Sequence, residues 1–260
     1  MKLEGRVVLI TGGAGGLGKA SAKALAAQGA HVVVTDIAGD AAKAVAREIG
    51  GTGYAHDVSD EKVWSDIVSD VLERQGRIDV LLNAAGIEGD LKKGGLNTSL
   101  TEWHRVMGIN LDGTFLGCRA VTPHMQERGT GSIINISSIV SFMGTPSALA
   151  YGASKAAVQQ LTRSIALIGA QDGARVRCNS IHPGIIRTRM TDAIFAEFAQ
   201  NSGMTPEEIE QAVCAEVPFG ARGVPEDVAG MVTFLASDDS LYVTGSEFKV
   251  DGGWLLGNAG

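Results

Sequence analysis

The stretch VVLITGGAGGLGKA, residues 7–20, joins a short apolar run to a glycine-rich loop and then to a segment of helix-forming residues. Glycines at positions 12, 13, 15, 16 and 18 let the chain turn tightly and bring its backbone close to a phosphate group. A helix that begins near Gly16 presents unpaired N–H groups and the positive end of its dipole at the same point. Strand, glycine loop and helix in this order predict the phosphate-binding turn of a dinucleotide-binding α/β fold.

Short apolar runs alternate with helical patterns along the rest of the chain. The runs lie at residues 6–10, 31–36, 53–58, 78–86, 131–137, 175–181 and 246–253, and the helical patterns lie at 17–28, 41–49, 61–74, 101–127, 151–170 and 225–236. Runs that are apolar throughout indicate strands buried on both faces, which is typical of a parallel sheet. We therefore predict an α/β doubly wound Rossmann fold, with a parallel sheet of about seven strands and helices on both faces.

The chain has no Pro- or Ser-rich linker, so residues 1–260 are predicted to form a single dinucleotide-binding catalytic domain. Two segments, 87–99 and 188–219, interrupt the alternation of strands and helices. Extra loops of this kind usually lie over a binding site. We expect residues 188–219 to form a lid over a substrate.

Composition and charge exclude several classes of protein. The formal net charge of −7 disfavours nucleic acid and anionic membranes as partners, because both bind basic surfaces. No apolar run approaches the roughly 20 residues that span a bilayer, and the N-terminus lacks a secretion signal, so we expect a cytoplasmic protein. The three cysteines, Cys118, Cys178 and Cys214, are predicted to be free, buried thiols. Neither they nor the histidines follow a zinc-binding spacing, so no metal site is expected.

Asp36 ends the second apolar run, about 20 residues beyond the glycine loop, where an acidic side chain meets the adenosine ribose of a dinucleotide. A carboxylate there accepts hydrogen bonds from free ribose hydroxyls and repels the 2′-phosphate that distinguishes NADP from NAD. The neighbouring residues Thr35, Ile37 and Ala38 carry no positive charge. The sequence therefore predicts NAD as the cofactor, and the alternative is a carboxylate that only caps the following turn.

The stretch SALAYGASKAAV, residues 147–158, places Tyr151 and Lys155 one helical turn apart on the same face. An isolated tyrosine has a pKa of about 10, and bringing it near 7 requires roughly 4 kcal/mol. One positive charge at ~4 Å supplies about that much at an effective dielectric constant near 20. We therefore predict that Lys155 lowers the pKa of Tyr151 and makes it a general acid and base. The alternative is a packed tyrosine beside a lysine that extends to solvent.

Six motifs, taken together, resemble those of the short-chain dehydrogenase/reductase family. They are TGGAGGLG, NAAG, Asn110, the serine of NISS, YGASK and HPGIIRT, and their order and spacing match from Gly5 to Gly253. The resemblance implies a Rossmann fold and hydride transfer between a nicotinamide cofactor and an alcohol or ketone. It is strong because all six occur in one chain of this length.

The resemblance also implies the catalytic roles. Ser138 would hold the substrate oxygen, and its neighbour Ser137 is the alternative. Tyr151 would exchange a proton with that oxygen, and Lys155 would assist it. Asn110 matches the family's helix-interrupting asparagine and would hold a water that links Lys155 to solvent.

Further residues would contact the cofactor. Asp57 and Val58 match the pair that meets adenine, and Ile186 and Thr188 match residues that hold the nicotinamide carboxamide. Ala84 replaces the second asparagine of the family's N-N-A-G motif, so contact at that position is expected from the backbone. The full predicted cofactor set is Gly12, Gly16, Leu17, Gly18, Asp36, Asp57, Val58, Asn83, Ala84, Tyr151, Lys155, Ile186 and Thr188.

The substrate is less defined than the cofactor. Apolar side chains in the expected lid and in the loop after Ser138 predict a pocket for a bulky or cyclic secondary alcohol, or they are ordinary packing. Bacterial hydroxysteroid and cyclic-alcohol dehydrogenases are similar around HPGIIRT and in the C-terminal segment. Arg187 and Arg189 would meet a substrate carboxylate or face water.

Two other functions remain as alternatives. One is a 3-oxoacyl carrier-protein reductase, which Asp36 and the acidic balance disfavour. The other is a non-catalytic NAD-sensing protein on the same fold. Family members are commonly tetramers, and Trp254, Leu255 and Leu256 would be unfavourable if exposed, so a homotetramer is expected.

Overall fold

The computed structural model describes residues 1–91 and 94–257, and its strands form one parallel sheet. The strands are β1 (Val7–Thr11), β2 (His31–Asp36), β3 (Thr52–Ala55), β4 (Val80–Asn83), β5 (Thr130–Ile136), β6 (Arg175–Pro183) and β7 (Glu247–Val250). Their order across the sheet is β3-β2-β1-β4-β5-β6-β7, and every pair is parallel. The predicted parallel sheet of about seven strands is confirmed.

Helices cover both faces of the sheet. They are α1 (Gly16–Ala27), α2 (Gly39–Ile49), α3 (Glu61–Gln75), α4 (Leu100–Met107), α5 (Gly113–Glu127), α6 (Leu149–Gly169), α7 (Arg189–Ser202), α8 (Pro206–Cys214) and α9 (Pro225–Ala236). One apolar core joins a sheet face to α1, α2 and α9, and the other joins the opposite face to α3, α5 and α6. This is the predicted doubly wound α/β Rossmann fold.

The sheet reverses its strand order between β1 and β4. Such a reversal opens a crevice at the carboxyl ends of the strands, where α/β folds bind their ligands. In the crevice the Thr11 hydroxyl, at the end of β1, accepts hydrogen bonds from the backbone N–H groups of Ala84 and Ala85 at 3.1 and 3.2 Å. The glycine loop and the NAAG segment are therefore fixed against each other.

Two predicted segments differ from the structure. The pattern at residues 101–127 is two helices, α4 and α5, joined by a wider π-helical turn over Gly108–Asp112. The turn forms where Asn110 points its side chain inward to bond neighbouring elements instead of continuing the surface pattern. The segment 188–219, predicted as an extra loop that forms a lid, contains the helices α7 and α8.

The described helices include none that is both long enough and apolar enough to cross a bilayer. Cys118, Cys178 and Cys214 are free and buried, as predicted.

Candidate active site

Loops from the carboxyl ends of the strands line one cleft of about 670 Å³. The predicted residues that line it are Gly12, Gly16, Leu17, Gly18, Asp36, Asp57, Val58, Ala84, Ser138, Tyr151, Lys155, Ile186 and Thr188. These residues come from distant parts of the sequence and meet because parallel strands end at the same edge of the sheet.

The glycine loop leaves no room for side chains. Gly12 has a φ of +64°, and a Cβ there would lie 2.7 Å from the Cα of Ala85. A Cβ on Gly16 would lie 2.9 Å from the Cγ2 of Thr188. Among the described residues no side chain caps the first turn of α1, so its N–H groups stay available in the cleft. This is an anion-binding geometry at a helix N-terminus.

Asp36 lies beside this loop and is held by two backbone N–H groups. Its Oδ2 accepts a hydrogen bond from Ala14 at 3.1 Å, and its Oδ1 accepts one from Ala38 at 3.0 Å. The carboxylate therefore caps the turn after β2 and also lines the cleft. The two predicted roles of this residue are compatible.

A nicotinamide dinucleotide fits this set of residues. The loop that only glycine can form would accept the diphosphate, the fixed Asp36 carboxylate would accept bonds from a ribose, and Asp57 with Val58 lines the same end of the cleft. The cleft then continues to Tyr151 and Lys155, which line its other end.

Tyr151 and Lys155 project from one face of α6 into this cleft. The Nζ of Lys155 lies 5.7 Å from the centre of the Tyr151 ring and donates a hydrogen bond to the backbone carbonyl of Ile136 at 2.9 Å. Lys155 is only 4% exposed, whereas Tyr151 keeps part of its surface open. The pair therefore faces the glycine-lined cleft, as the sequence predicts.

The electrostatics of this pair differ from the prediction. Burial raises the pKa of Tyr151, and the interaction with the Ser138 hydroxyl lowers it by less. Burial also lowers the pKa of Lys155 from 10.5 to about 8. The prediction that Lys155 brings the Tyr151 pKa toward neutrality is wrong for the chain alone, because removal of the phenol from water raises this pKa by more than the hydrogen bond with Ser138 lowers it.

Ser137 and Ser138 follow β5 and have different partners. The Ser137 hydroxyl donates to the backbone carbonyl of Lys155 at 2.8 Å inside the protein. The Ser138 hydroxyl accepts from the backbone N–H of Val140 at 3.3 Å and interacts with Tyr151. The structure thus brings Ser138 and the Tyr151 phenol together, and it occupies Ser137 with a backbone contact.

Asn110 lies in the π-helical turn and is fully buried. Its Oδ1 accepts from the N–H of Ile87 at 2.8 Å, and its Nδ2 donates to the Ile87 carbonyl at 2.9 Å and to the Ser154 hydroxyl at 3.0 Å. A Cβ on Gly86 would lie 3.3 Å from both the Asn110 Oδ1 and the Lys155 Nζ. Asn110 therefore lies next to the lysine, across a residue with no side chain.

Asn83 is the one predicted cofactor residue that does not line the cleft. Its Nδ2 donates to the Oδ1 of Asn135 at 2.9 Å, which joins β4 to β5 inside the core. Successive residues of a strand point to opposite faces, so the last residue of β4 turns its side chain away while Ala84 reaches the cleft. Cofactor contact by the Asn83 side chain stays a prediction that this geometry does not favour.

Residues of the expected lid divide into packed and exposed groups. Met190 lines the cleft, Phe195 and Val217 are buried, and Phe219 is 85% exposed. Some apolar residues of the expected lid therefore line the cleft, and others are ordinary packing. Arg187 pairs with Glu210 at 3.0 Å.

Other residues line the cleft without having been singled out from the sequence. His104 and Arg105 of α4 do so together with Gly108 and Ile109. Arg189, which is expected from the sequence to meet a substrate carboxylate or face water, also lines the cleft, at the start of α7. His104 and Gly108 are four residues apart, as are Arg105 and Ile109, so all four lie on one helical face. This spacing is the feature of the sequence that indicates them.

Comparison with known proteins agrees with this geometry. A family model described as "Enoyl-(Acyl carrier protein) reductase", of the short-chain dehydrogenase type, matches residues 12–255. The 3-alpha-(or 20-beta)-hydroxysteroid dehydrogenase of Mycobacterium tuberculosis is 43% identical, over 99% of this chain and 92% of its own length. The NADP-dependent (R)-specific alcohol dehydrogenase of Lentilactobacillus kefiri is 38% identical, over 97% of this chain and 98% of its own.

Solved structures give the same result. The crystal structure of levodione reductase, 34% identical, matches with a TM-score of 0.88 over 96% of this chain and 98% of its own. Similarity of this extent in sequence and in structure shows that the chain belongs to the short-chain dehydrogenase/reductase family of nicotinamide-dependent oxidoreductases.

Proposed function

We propose that this protein transfers a hydride between NAD(H) and a secondary alcohol or ketone, of a bulky or cyclic kind. The observation that carries the proposal is the approach of Ser138, Tyr151 and Lys155 at one end of a glycine-lined cleft. A nicotinamide cofactor, when bound, accepts a hydride from the alcohol carbon or supplies one to the ketone carbon. The protein has to bind the oxygen and move its proton.

Ser138 and Tyr151 are proposed to hold the substrate oxygen between their hydroxyl groups. In reduction, the Tyr151 phenol gives its proton to the oxygen as the C–O double bond becomes single. In oxidation, the oxygen returns that proton to Tyr151. Burial keeps the phenol protonated near neutral pH, which is the state that reduction requires.

Lys155 and Asn110 are proposed to restore the proton of Tyr151. The Lys155 pKa of about 8 allows this group to gain and lose a proton near neutral pH. Asn110 lies next to Lys155, and its Oδ1, which accepts one hydrogen bond from Ile87, is proposed to accept a second from a water at the inner end of such a relay. Ile186 and Thr188 line the same cleft and are proposed to hold the nicotinamide carboxamide.

A bulky or cyclic substrate agrees with the relatives. The relatives include a hydroxysteroid dehydrogenase and, at 37% identity, the trans-4-hydroxycyclohexanecarboxylate dehydrogenase of Sinomonas cyclohexanicum, both named for ring compounds. The cleft includes Tyr151 and Met190 of the expected lid, residues 188–219. The lid helices and the sheet are proposed to form one catalytic domain. Reduction of a 3-oxoacyl carrier protein is the second candidate, because the 3-oxoacyl-[acyl-carrier-protein] reductase of Thermotoga maritima is 37% identical over 98% of this chain. A net charge of −7 opposes the docking of an acidic carrier.

The experiment is a panel of cyclic and linear secondary alcohols and ketones, a 3-oxoacyl thioester included, each measured with NAD(H) and NADP(H). The reaction is followed by the near-ultraviolet absorbance of the reduced cofactor. We expect the highest kcat/KM with a cyclic ketone and NADH. Cofactor binding with no turnover of any compound would support a sensing protein, and preference for the thioester with NADPH would support the second candidate.

A further inference from the structure

His182 lies near the end of β6, behind Ser138, and none of its surface is exposed. Its Nδ1 lies 3.0 Å from the backbone carbonyl oxygen of Ser138 and 2.9 Å from the Ser141 hydroxyl. Its Nε2 lies 2.8 Å from the Ser180 hydroxyl. Both ring nitrogens are therefore satisfied, and one of them reaches the backbone of the proposed catalytic serine.

The partners fix the tautomer of the ring. A carbonyl oxygen only accepts hydrogen bonds, so the proton lies on Nδ1, which donates to Ser138. The Nε2 then accepts from the hydroxyl of Ser180. Burial lowers the pKa of His182, and Glu247, Lys249 and Lys155 are the charged groups that face it. The ring is thus neutral in the folded protein, with one donor and one acceptor in use.

The same carbonyl is the anchor of the turn that follows Ser138. It accepts hydrogen bonds from the Ser141 N–H at 3.1 Å and from the Ser141 hydroxyl at 2.8 Å, in addition to His182. Three donors therefore hold one oxygen at the start of the short 3₁₀ turn Ile139–Phe142. Phe142 at the end of this turn packs on the His182 ring, with ring centres 4.8 Å apart.

We propose that His182 is a positioning residue that sets the orientation of Ser138 toward Tyr151. Ser138 leaves β5 in an extended conformation, and apart from its interaction with Tyr151 its hydroxyl has one long bond of 3.3 Å, accepted from the Val140 N–H of the turn. Its side-chain position therefore depends on where the backbone is held. The His182 bond crosses from β6 to that backbone and prevents the peptide from rotating. The proposal rests on the proposed function, because it assigns Ser138 to the substrate oxygen.

Two substitutions at position 182 separate positioning from packing. His182→Leu keeps an apolar side chain in the niche and removes the donor. His182→Asn places an amide N–H close to the position of Nδ1 and keeps the bond to the Ser138 carbonyl. Ser132→Ala is the matched control, because Ser132 is also buried and donates to a carbonyl, that of Leu235 at 2.7 Å, near the amino end of β5.

His182→Leu is expected to lower the rate of ketone reduction without changing the affinity for NADH. In His182→Leu, kcat for ketone reduction should fall about tenfold or more, since small displacements of a catalytic group have effects of this order. The dissociation constant for NADH should stay within about twofold, and His182→Asn should recover most of kcat. Ser132→Ala should keep the kcat of the unmodified protein. Equal losses in the Leu and Asn variants, or a parallel loss of NADH affinity, would overturn the proposal.

A second readout does not require turnover. The chain has three tyrosines, Tyr54, Tyr151 and Tyr242, so ¹³C labelling at the phenol carbon gives a simple NMR spectrum in which Tyr151→Phe identifies one signal. The Ser138 hydroxyl lowers the pKa of Tyr151, so His182→Leu should raise the Tyr151 titration midpoint, and His182→Asn should not. An unchanged midpoint in His182→Leu contradicts the proposal. If the unmodified protein turns over no ketone, the proposed function fails, and this titration still decides the role of His182.

Discussion

At the scale of the residue, burial acts on both members of the Tyr151 and Lys155 pair in the direction that removes charge. Spacing in the sequence gives their proximity, since residues four apart share a helix face. The spacing does not show how deeply the two side chains are buried, and the extent of burial determines the pKa of each. A protonated phenol beside a lysine that titrates near pH 8 suits reduction of a ketone near neutral pH.

The buried lysine should make stability depend on pH. The pKa of Lys155 is lowered from 10.5 to about 8, so between these values the unfolded chain binds more protons than the folded chain. The free energy of unfolding should therefore rise with pH across this window, by about 3 kcal/mol relative to a Lys155→Met variant. Urea unfolding of both proteins from pH 7 to 10.5 measures it. A constant difference between them over that range would contradict the lowered pKa.

Asp36 should determine the choice between NAD and NADP. A carboxylate and a phosphate of about two charges, ~5 Å apart, repel by about 1.7 kcal/mol even at the dielectric constant of water, which is more than tenfold in affinity. NADH should therefore bind at least about tenfold more tightly than NADPH, and Asp36→Ser should reduce that ratio severalfold. Fluorescence titration gives both constants. Asp40→Ser, which removes a fully exposed carboxylate of α2, is the control and should leave the ratio unchanged.

At the scale of the element, one buried arginine ties together α7 and α8, the helices of the expected lid. The Arg222 guanidinium donates to Asp192 of α7 at 2.6 Å and to Glu210 of α8 at 2.9 and 3.0 Å, and it lies 5.0 Å from the centre of the Phe195 ring. Its side chain is 5% exposed. The sequence predicts residues 188–219 as a lid, but this contact depends on tertiary structure that no local pattern contains.

Arg222→Met should loosen both helices. It removes the shared cation and leaves two acidic side chains close together, so the segment should open more often. We expect a glutamate-specific protease to cut after Glu197 and Glu207 about tenfold faster than in the unmodified protein. Arg187→Met is the control, because Arg187 also pairs with Glu210 but is exposed. Cleavage of the Arg222 variant at the rate of the unmodified protein would mean that Arg222 does not hold α7 and α8 in place.

Some helix boundaries can be predicted from the local sequence pattern, and others cannot. The start of α1 after the glycine loop follows from the sequence, because glycine loop and helix belong to one motif. The break between α4 and α5 does not, since residues 101–127 have a continuous helical pattern. The resemblance marks Asn110 as interrupting a helix, and only the bonds to Ile87 and Ser154 give the interruption its π-helical form.

At the scale of the whole molecule, the reversal of strand order between β1 and β4 determines where the site lies. The place of Ser138 follows from that geometry, because the ends of β4, β5 and β6 all open into the same cleft, and Tyr151 and Lys155 reach this cleft from α6. The surface keeps large apolar side chains in contact with water. The most exposed are Leu96, Phe219, Tyr242 and Leu256. Trp254 and Leu255, in contrast, are partly buried within the chain.

We propose that copies of the chain cover part of this surface in a homotetramer. Exposed apolar side chains favour association. Light scattering should give a mass close to four times the 26.9 kDa of one chain. Tyr242→Lys, at a fully exposed position, would tell whether this part of the surface takes part, since a buried charge opposes assembly. A mass of one chain for the unmodified protein would exclude the tetramer.

The order of elements and the parallel sheet could be predicted because strands buried on both faces and glycine loops have strong local signatures. Most of the cleft could be predicted for a related reason, since its residues follow strand ends. Alternation along β4 places the side chains of Asn83 and Ala84 on opposite faces, but which of the two meets the cleft could not be predicted. The bond between His182 and the Ser138 carbonyl could not be predicted either, because it joins residues that are far apart in sequence.

The central claim is that the Tyr151 phenol exchanges the proton of the substrate oxygen. The direct test is Tyr151→Phe, which removes one hydroxyl, compared with Tyr242→Phe, which removes another at the exposed surface. Ketone reduction by NADH should fall by about 10²–10⁴-fold in Tyr151→Phe and stay unchanged in Tyr242→Phe, while both variants bind NADH as the unmodified protein does. Turnover by Tyr151→Phe at the rate of the unmodified protein would contradict the account.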